Sequence, residues 1–278
     1  MNSLYDLISF KSSRIITTSY STSFSLGIKS LAKELRDPIY AIYGFVRLAD
    51  EIVDTFHDHD KEKLFYRFKE DVDLALSEKI SLNPVLHSFQ FVVNKYSIDR
   101  ELIDAFMHSM EMDLFKTDYD RKNFEKYVLG SAEVVGLMCL KVFLNGDGKE
   151  YLQLKPAAMK LGAAYQKINF LRDLRADFHD MGRSYFPNID LSQFTESDKQ
   201  IIENEIENDF QEGLEGIRLL PSSSRFGVYL SFIYYYNLFR KIRKLPAEKI
   251  ITKRIRISNA RKYLILLNSY FKFKFNTI

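Results

Sequence analysis

Two stretches decide how this chain is read: Arg47-Leu-Ala-Asp50-Glu51-Ile-Val-Asp54 and, about 120 residues later, Gln166-Lys-Ile-Asn169-Phe-Leu-Arg172-Asp173-Leu-Arg-Ala-Asp177. In each, two aspartates stand four positions apart, which on a helix puts both carboxylates on one face, one turn apart. Arg47, Asp50 and Asp54 fall at i, i+3 and i+7, with Ile42, Phe45, Ile52 and Val53 on the opposite face. Gln166, Asn169, Asp173 and Asp177 fall at i, i+3, i+7 and i+11, flanked on the packed side by Ile168, Phe170 and Leu171. Like charges one turn apart repel and cost stability, and a bound cation removes that cost. Two such edges opposed across a cavity make a wall of hard oxygen ligands. Mg²⁺ takes such ligands, usually a few carboxylates together with substrate phosphates. The neighbouring arginines suit an anionic substrate, so the chemistry implied is metal-assisted handling of a diphosphate.

Either motif alone is a weak signal. The plain alternative for the second is a solvated stripe bridged by Arg172 and Arg175. The almost wholly apolar run Ile39-Tyr-Ala-Ile-Tyr-Gly-Phe-Val46, directly before the first, favours an internal site.

Composition sets the frame. The chain has 278 residues, 46% hydrophobic and 28% charged, enough for a sizeable core with a soluble surface. Proline (6) and glycine (11) are sparse, which favours long helices. The 23 Phe and 17 Tyr could line a wide apolar cavity, although core packing explains most of them. Cys139 is the only cysteine, so no disulfide within the chain is available, and it reads as a small buried hydrophobe. The first residues lack the pattern of a signal peptide, and no run of about 18 apolar residues occurs. A cytoplasmic protein without a membrane span is therefore expected.

Net charge is +3, yet residues 240–274 hold twelve Lys/Arg against one acid, Glu248. That segment is +11 and the remainder −8. Such a basic stretch faces an anionic membrane or nucleic acid, supplies cations to an internal site, or is a solvated face.

Helical periodicity predicts helices over 3–18, 36–56, 60–77, 82–95, 99–115, 121–144, 149–177, 196–218, 224–243 and 256–272. Asp99 and Thr195 read as N-caps. No alternating strand, repeat or linker is visible, so one all-α domain over 1–278 is expected. His57-Asp58-His59-Asp60 imitates a metal cluster, but neighbouring residues diverge on a helix and no third ligand stands at a zinc-like spacing. No phosphate-cradling glycine loop, GxGxxG or Ser-His-Asp order is present, which argues against a P-loop enzyme, a Rossmann dehydrogenase and a hydrolase.

These motifs resemble the squalene/phytoene synthase family, the head-to-head condensing branch of the isoprenoid synthases, and its bacterial phytoene synthases above all. The resemblance begins at Tyr20-Ser21-Thr22-Ser23-Phe24-Ser25 and continues from Arg36 through the first acidic motif. It includes Tyr127-Val-Leu-Gly-Ser-Ala132-Glu133-Val-Val135-Gly136, then runs from the second acidic motif into Gly182-Arg183-Ser-Tyr185-Phe-Pro187. It implies an isoprenoid-synthase fold, helices around a central cavity. Asp50 and Asp54 would ligate Mg²⁺, or Mn²⁺ in its stead, from one side, and Asn169, Asp173 and Asp177 from the other. Arg47, Gln166, Arg172, Arg254 and Lys262 would hold diphosphate oxygens, with Tyr20, Ser21, Thr22 and Ser23 also at the substrate. Tyr43, Tyr127 and Tyr235 would line the reaction centre. Phe24, Ala132, Val135, Gly136 and Leu161 would line the prenyl channel.

The chain departs from the family pattern at Glu51, in place of an aspartate, at Ala176, in place of a glutamate, and at Glu133, in place of a glycine. A carboxylate turned into an apolar channel is costly, so Glu133 is expected to point away from the prenyl chain. The activity implied is condensation of two geranylgeranyl diphosphates to phytoene through a cyclopropyl diphosphate, with diphosphate released, in carotenoid biosynthesis. No nicotinamide-binding motif is visible, so proton loss is expected and NADPH is not. The alternatives are squalene or dehydrosqualene formation from farnesyl diphosphate, and a non-catalytic helical assembly factor of the same fold. Peripheral association with the inner face of a membrane is expected, a nucleic-acid partner is not, and the oligomeric state is open.

Overall fold

The structure, a computed structural model, describes residues 3–115, 118–175, 184–187, 189–252 and 254–275. It is all-α, with helices α1 (Leu4–Tyr20), α2 (Thr22–Lys29), α3 (Lys33–Asp54), α4 (Lys61–Glu78), α5 (Pro84–Tyr96), α6 (Arg100–Phe115) and α7 (Arg121–Val128) in its first half. There follow α8 (Val134–Phe143), α9 (Gly148–Arg175), α10 (Glu196–Leu219), α11 (Ser222–Arg243), α12 (Ala247–Ile250) and α13 (Asn259–Lys274). The sheet-like feature among the described residues is an isolated parallel bridge between Asp118 and Ser184.

The helix ends follow local chemistry. Ser3 with Asp6 and Thr195 with Asp198 form capping boxes for α1 and α10. Asn83 caps α5 ahead of Pro84, whose missing N–H costs nothing at a first helical position. Asp99 precedes α6, and its carboxylate pairs with Lys141 at 3.0 Å.

Several boundaries differ from those expected. Helix α2 was not predicted: Ser21, read as a substrate contact, caps it by accepting the Phe24 N–H at 3.2 Å. Helix α12 was missed because it is only four residues long; the Ala247 N–H donates to Glu196 at 2.9 Å. Helix α13 starts at Asn259, not 256, where the Ser258 side chain caps it. Helix α9 ends at Arg175 among the described residues.

The continuous helix expected over 121–144 is interrupted by a π-turn at Leu129–Glu133. The extra residue per turn lets Tyr127 and Ala132, five positions apart, both reach the central cavity. Two neighbours clamp the turn. A Cβ on Gly130 would lie 2.4 Å from the Ala105 carbonyl of α6, and one on Gly162 of α9 would lie 2.9 Å from the Ala132 carbonyl. Glu133 falls outside the cavity lining, in the field of Asp209, Lys167, Lys160 and Glu125.

Two main apolar clusters form the core. The first draws on α1 to α6, α8 and the start of α9, with Phe45 stacked on Phe89 at 3.9 Å. The second draws on α7 and α9 to α12 around Phe210 and Phe239. The cavity lies where they meet and is lined from both. Its wall is partly bare backbone. A Cβ on Gly227 of α11 would lie 2.8 Å from the Gly27 carbonyl of α2, and one on Gly216 of α10 would lie 2.4 Å from the Ala157 Cβ of α9. Behind the second cluster, Lys199 and Glu203, each side chain 2% exposed, pair at 2.9 Å.

Helix α13 packs on α11. Ile265 and Ser269 are buried, while Leu264, Leu267, Phe271 and Phe275 form an exposed stripe at i, i+3, i+7 and i+11. Tyr263 and Tyr270 are exposed beside it, and Arg261, Lys272 and Lys274 accompany it with no acid in the helix. Among the described residues no helix is long and apolar enough to cross a membrane.

Burial, and then the charge of Asp209, push the Glu133 carboxyl up to about 7 from its ordinary 4.5, against Lys167 and Lys160. The folded state therefore holds this proton longer than the unfolded chain, so stability declines as pH rises from 4.5 through about 7. Glu133→Gln is expected to change urea stability little at pH 5 and to raise it at pH 8. An equal effect at both pH values contradicts the assignment.

Candidate active site

The apolar faces of two helices aim the polar stripes. On α3, Ile42, Phe45 and Val53 are fully buried and Ile52 nearly so, which turns Arg47, Asp50 and Asp54 to the cavity. On α9, Ile168 and Leu171 are fully buried, which turns Gln166, Asn169, Arg172 and Asp173 the same way. The cavity measures about 640 Å³, within the range of small-molecule sites.

Most residues singled out from the sequence line this one space. Tyr20, Ser21, Phe24, Tyr43, Tyr127, Ala132, Val135, Gly136, Leu161, Tyr235 and Arg254 join the polar residues of α3 and α9 there. Thr22, Ser23 and Lys262 do not line it. The Lys262 ammonium instead lies 3.4 Å from the Thr22 hydroxyl. Asp177, with Ala176, Gly182 and Arg183, lies outside the described residues. His57, Asp58, His59 and Asp60 are exposed, and the Asp60 side chain caps α4.

The polar end is crowded with opposite charges. Arg47 pairs with Asp50 and Glu51 through separate nitrogens, and its guanidinium lies 4.2 Å from the Tyr20 ring centroid. Its buried Nε–H has no hydrogen-bond partner among the described residues. Across the cavity, Asp173 receives the Arg172 Nε at 3.1 Å and the Arg254 Nε at 2.7 Å. Asn169 is oriented from two sides: its amide donates to Gln166 at 3.3 Å, and its carbonyl accepts from Tyr235 at 3.3 Å. Burial and the charge of Asp54 push the Asp50 carboxyl above its ordinary range, although Arg47 opposes this. Partial burial and the charges of Arg172 and Arg256 hold Lys262 below its ordinary range.

These groups fit a divalent cation that arrives with a diphosphate. Among the described residues no three His, Cys, Asp or Glu side chains converge on one point. Each edge offers two hard oxygen side chains, Asp50 with Asp54 and Asn169 with Asp173. That suits Mg²⁺, which completes its octahedron from water and substrate phosphates. Asp50 and Asp54 repel one another, and Arg172, Arg256 and Lys262 crowd together. A cation–diphosphate pair answers both excesses at once.

Behind the charged end the cavity is aromatic, then aliphatic. Phe24 lies 4.8 Å from Tyr43 and 5.7 Å from Tyr235, and Tyr165 stacks on Tyr235 at 4.1 Å. Burial raises the phenols of Tyr43, Tyr127, Tyr165 and Tyr235, so all four stay neutral. Ile28, Leu31, Leu140, Phe143 and Leu154 line the cavity as well. Cys139 lines it too, near Tyr43, its thiol pushed up to about 12 by burial.

Sequence reasoning passed over three side chains at this site. Tyr165 lines the cavity and was findable, since it stands four before Asn169 and seven before Arg172 on the α9 stripe. Tyr185 also lines it; it stands in a stretch that carries the family resemblance but was given no role there, and the Asp118–Ser184 bridge beside it has no local signal. Asp113, 6% exposed on α6, stands behind the wall. Its signal was an acid continuing the apolar stripe of Phe106 and Met110.

Residues 17–261 match the squalene/phytoene synthase family. Phytoene synthase 1, chloroplastic, of Solanum lycopersicum is 29% identical over 92% of the chain, and the protein of that name from Zea mays is 29% identical over 92%. The chain spans 66% and 67% of their lengths. Among solved structures, a dehydrosqualene synthase in complex with ligand superposes with a TM-score of 0.80, at 22% identity, covering 97% of this chain and 98% of its own. A squalene synthase from Alicyclobacillus acidocaldarius gives 0.76 at 22% identity, covering 87% and 95%. The chain belongs to the squalene/phytoene synthase family, isoprenoid synthases that join prenyl groups head to head.

Proposed function

We propose that this chain condenses two geranylgeranyl diphosphates head to head to give phytoene, with Mg²⁺ as the cofactor. The observation that carries the proposal is a single cavity with opposed carboxylate edges and arginines at one end and an aromatic and aliphatic interior at the other. A prenyl diphosphate has the same division, an anionic head on a long apolar chain. The relatives named phytoene synthase favour a C20 substrate. The alternative is squalene or dehydrosqualene formation from farnesyl diphosphate.

Arg47, Arg172 and Arg254 hold the diphosphate oxygens and stabilise the charge that develops as the C–O bond breaks. Asp50, Asp54, Asn169 and Asp173 would hold Mg²⁺, which when bound neutralises the leaving diphosphate. The allylic cation is attacked by the double bond of the second substrate, and loss of a proton from the adduct closes the cyclopropyl diphosphate. A second ionisation releases the second diphosphate, and rearrangement gives a linear cation that loses a proton to form the product. Phe24, Tyr43, Tyr165 and Tyr235 surround the cation with ring faces and exclude the water that would quench it.

The deciding experiment is incubation with C15 and C20 prenyl diphosphates and Mg²⁺, with and without NADPH, followed by hydrocarbon analysis. A C40 triene formed without NADPH is expected. A product formed only from the C15 substrate, or only with NADPH, replaces phytoene with the squalene-type alternative.

Chelation of the metal is expected to abolish turnover. Asp50→Ala and Asp173→Ala are each expected to lower it at least about 100-fold, the scale of one strong transition-state contact. Near-native activity in both variants removes the metal assignment.

The same proposal has the protein working at an anionic membrane surface, where its hydrocarbon product dissolves. The basic residues of 240–274 and the exposed stripe of α13 suit that surface. Binding to anionic vesicles is expected to weaken with salt. Leu267→Ser with Phe271→Ser is expected to lower it at least about tenfold, since two such side chains lose a few kcal/mol of burial. Equal binding to neutral vesicles, or no effect of the pair, contradicts this.

Ala132→Phe adds a ring to the channel wall at the π-turn. Substrate preference is expected to shift from C20 towards C15, read as the ratio of the two kcat/KM values. An unchanged ratio takes Ala132 out of the prenyl channel.

A further inference from the structure

Asp113 is a buried carboxylate beside the cavity that the reaction just described does not use. It continues the α6 stripe of Phe106 and Met110, which line the cavity, but it stands behind the wall rather than in it. It accepts hydrogen bonds from three phenols: Tyr127 at 2.6 Å, Tyr185 at 3.3 Å and Tyr119 at 3.4 Å. Tyr127 and Tyr185 line the cavity, and Tyr119 does not. The rings form one cluster, with Tyr127 5.2 Å from Tyr185, Tyr119 5.3 Å from Tyr185, and Phe170 stacked on Tyr185 at 4.2 Å. The Asp118–Ser184 bridge sets Tyr119 and Tyr185 side by side.

An apolar residue would complete the α6 stripe without the cost of burying a carboxylate. What the carboxylate adds is direction. A phenol has a single hydrogen, and once that hydrogen is given to Asp113 the oxygen has only lone pairs left for any other neighbour. Burial, and next the charge of Asp113, keep the Tyr127 phenol protonated, so its dipole rather than a phenolate faces the cavity.

We propose that Asp113 is a positioning residue for the cationic intermediates: by taking the hydroxyl hydrogens of Tyr127 and Tyr185, it turns their oxygen lone pairs towards the positive carbon. This rests on the cationic condensation proposed above. Two carbon-facing dipoles and a carboxylate behind them oppose the charge of a carbocation, whereas outward-turned hydrogens would add to it.

Asp113→Asn tests the idea, because the amide keeps the shape but donates, which forces a tyrosine to accept and to turn its hydrogen away. The probe is a farnesyl-dimethylammonium salt, a stable cation, compared with its uncharged isopropyl isostere, both in the presence of Mg²⁺ and inorganic diphosphate. Asp113→Asn is expected to weaken ammonium binding about tenfold and isostere binding less than about twofold. The same effect of Asp113→Asn is expected to shrink to less than about threefold in a Tyr127→Phe background. Tyr119→Phe, which also loses a hydrogen bond to Asp113, is expected to leave ammonium binding unchanged. Equal loss for the two probes, no loss for either, or a loss in Tyr119→Phe as large as in Asp113→Asn overturns the proposal. Turnover separates it from the broader reading. A wild type inactive on C15 and C20 diphosphates removes the condensation and this proposal with it. An active wild type alongside an Asp113→Asn variant of unchanged kcat removes only the role of Asp113.

Discussion

The closeness of like charges at the mouth of the cavity is the constraint on which the other features depend. Asp50 and Asp54 share one helical face, Asp173 answers from another helix, and Arg47, Arg172 and Arg254 are drawn in between them. Carboxylates in such a place repel one another and lose hydration, and Asp50 shows the result in its raised pKa. The guanidiniums ease the imbalance but become crowded themselves, as the lowered Lys262 shows. The aromatic and aliphatic interior then confines this charge to one end. A surface stripe of the same composition would be screened by water and would carry no such tension.

Much of this was legible in the sequence because both acidic motifs lie on long amphipathic helices. On α3 and α9 a buried side fixes which way the polar residues face, so a wheel drawn from the sequence aims Asp50, Asp54, Asn169 and Asp173 correctly. Ala132, Val135, Gly136 and Leu161, which also line the cavity, came from the family resemblance and not from periodicity. The family resemblance added what periodicity lacks, namely which substrate such an arrangement serves.

What was not legible depends on contacts remote in sequence or on backbone departures with no local signature. Helix α2 is eight residues long and contains Gly27, so neither propensity nor period distinguishes it from a loop. The π-turn at Leu129–Glu133 is set by how closely α6 approaches Gly130 and how closely Gly162 of α9 approaches the Ala132 carbonyl, and the sequence of the turn itself does not announce it. Asp113 looks like one more acid near a helix end until three tyrosines, one of them 72 residues away, are seen to point at it.

The glycines of the cavity wall limit how this protein can change. At Gly27, Gly216 and Gly227 a new Cβ would strike a neighbouring helix before it filled any of the cavity. Substitution at these positions pries helices apart instead of reshaping the space between them. Variation that resizes the chamber without loosening the fold is therefore confined to side chains on other parts of the wall, such as Val135 and Leu161. Along a lineage, then, chamber size is free to drift on some helices while the α2–α11 and α9–α10 seams stay fixed.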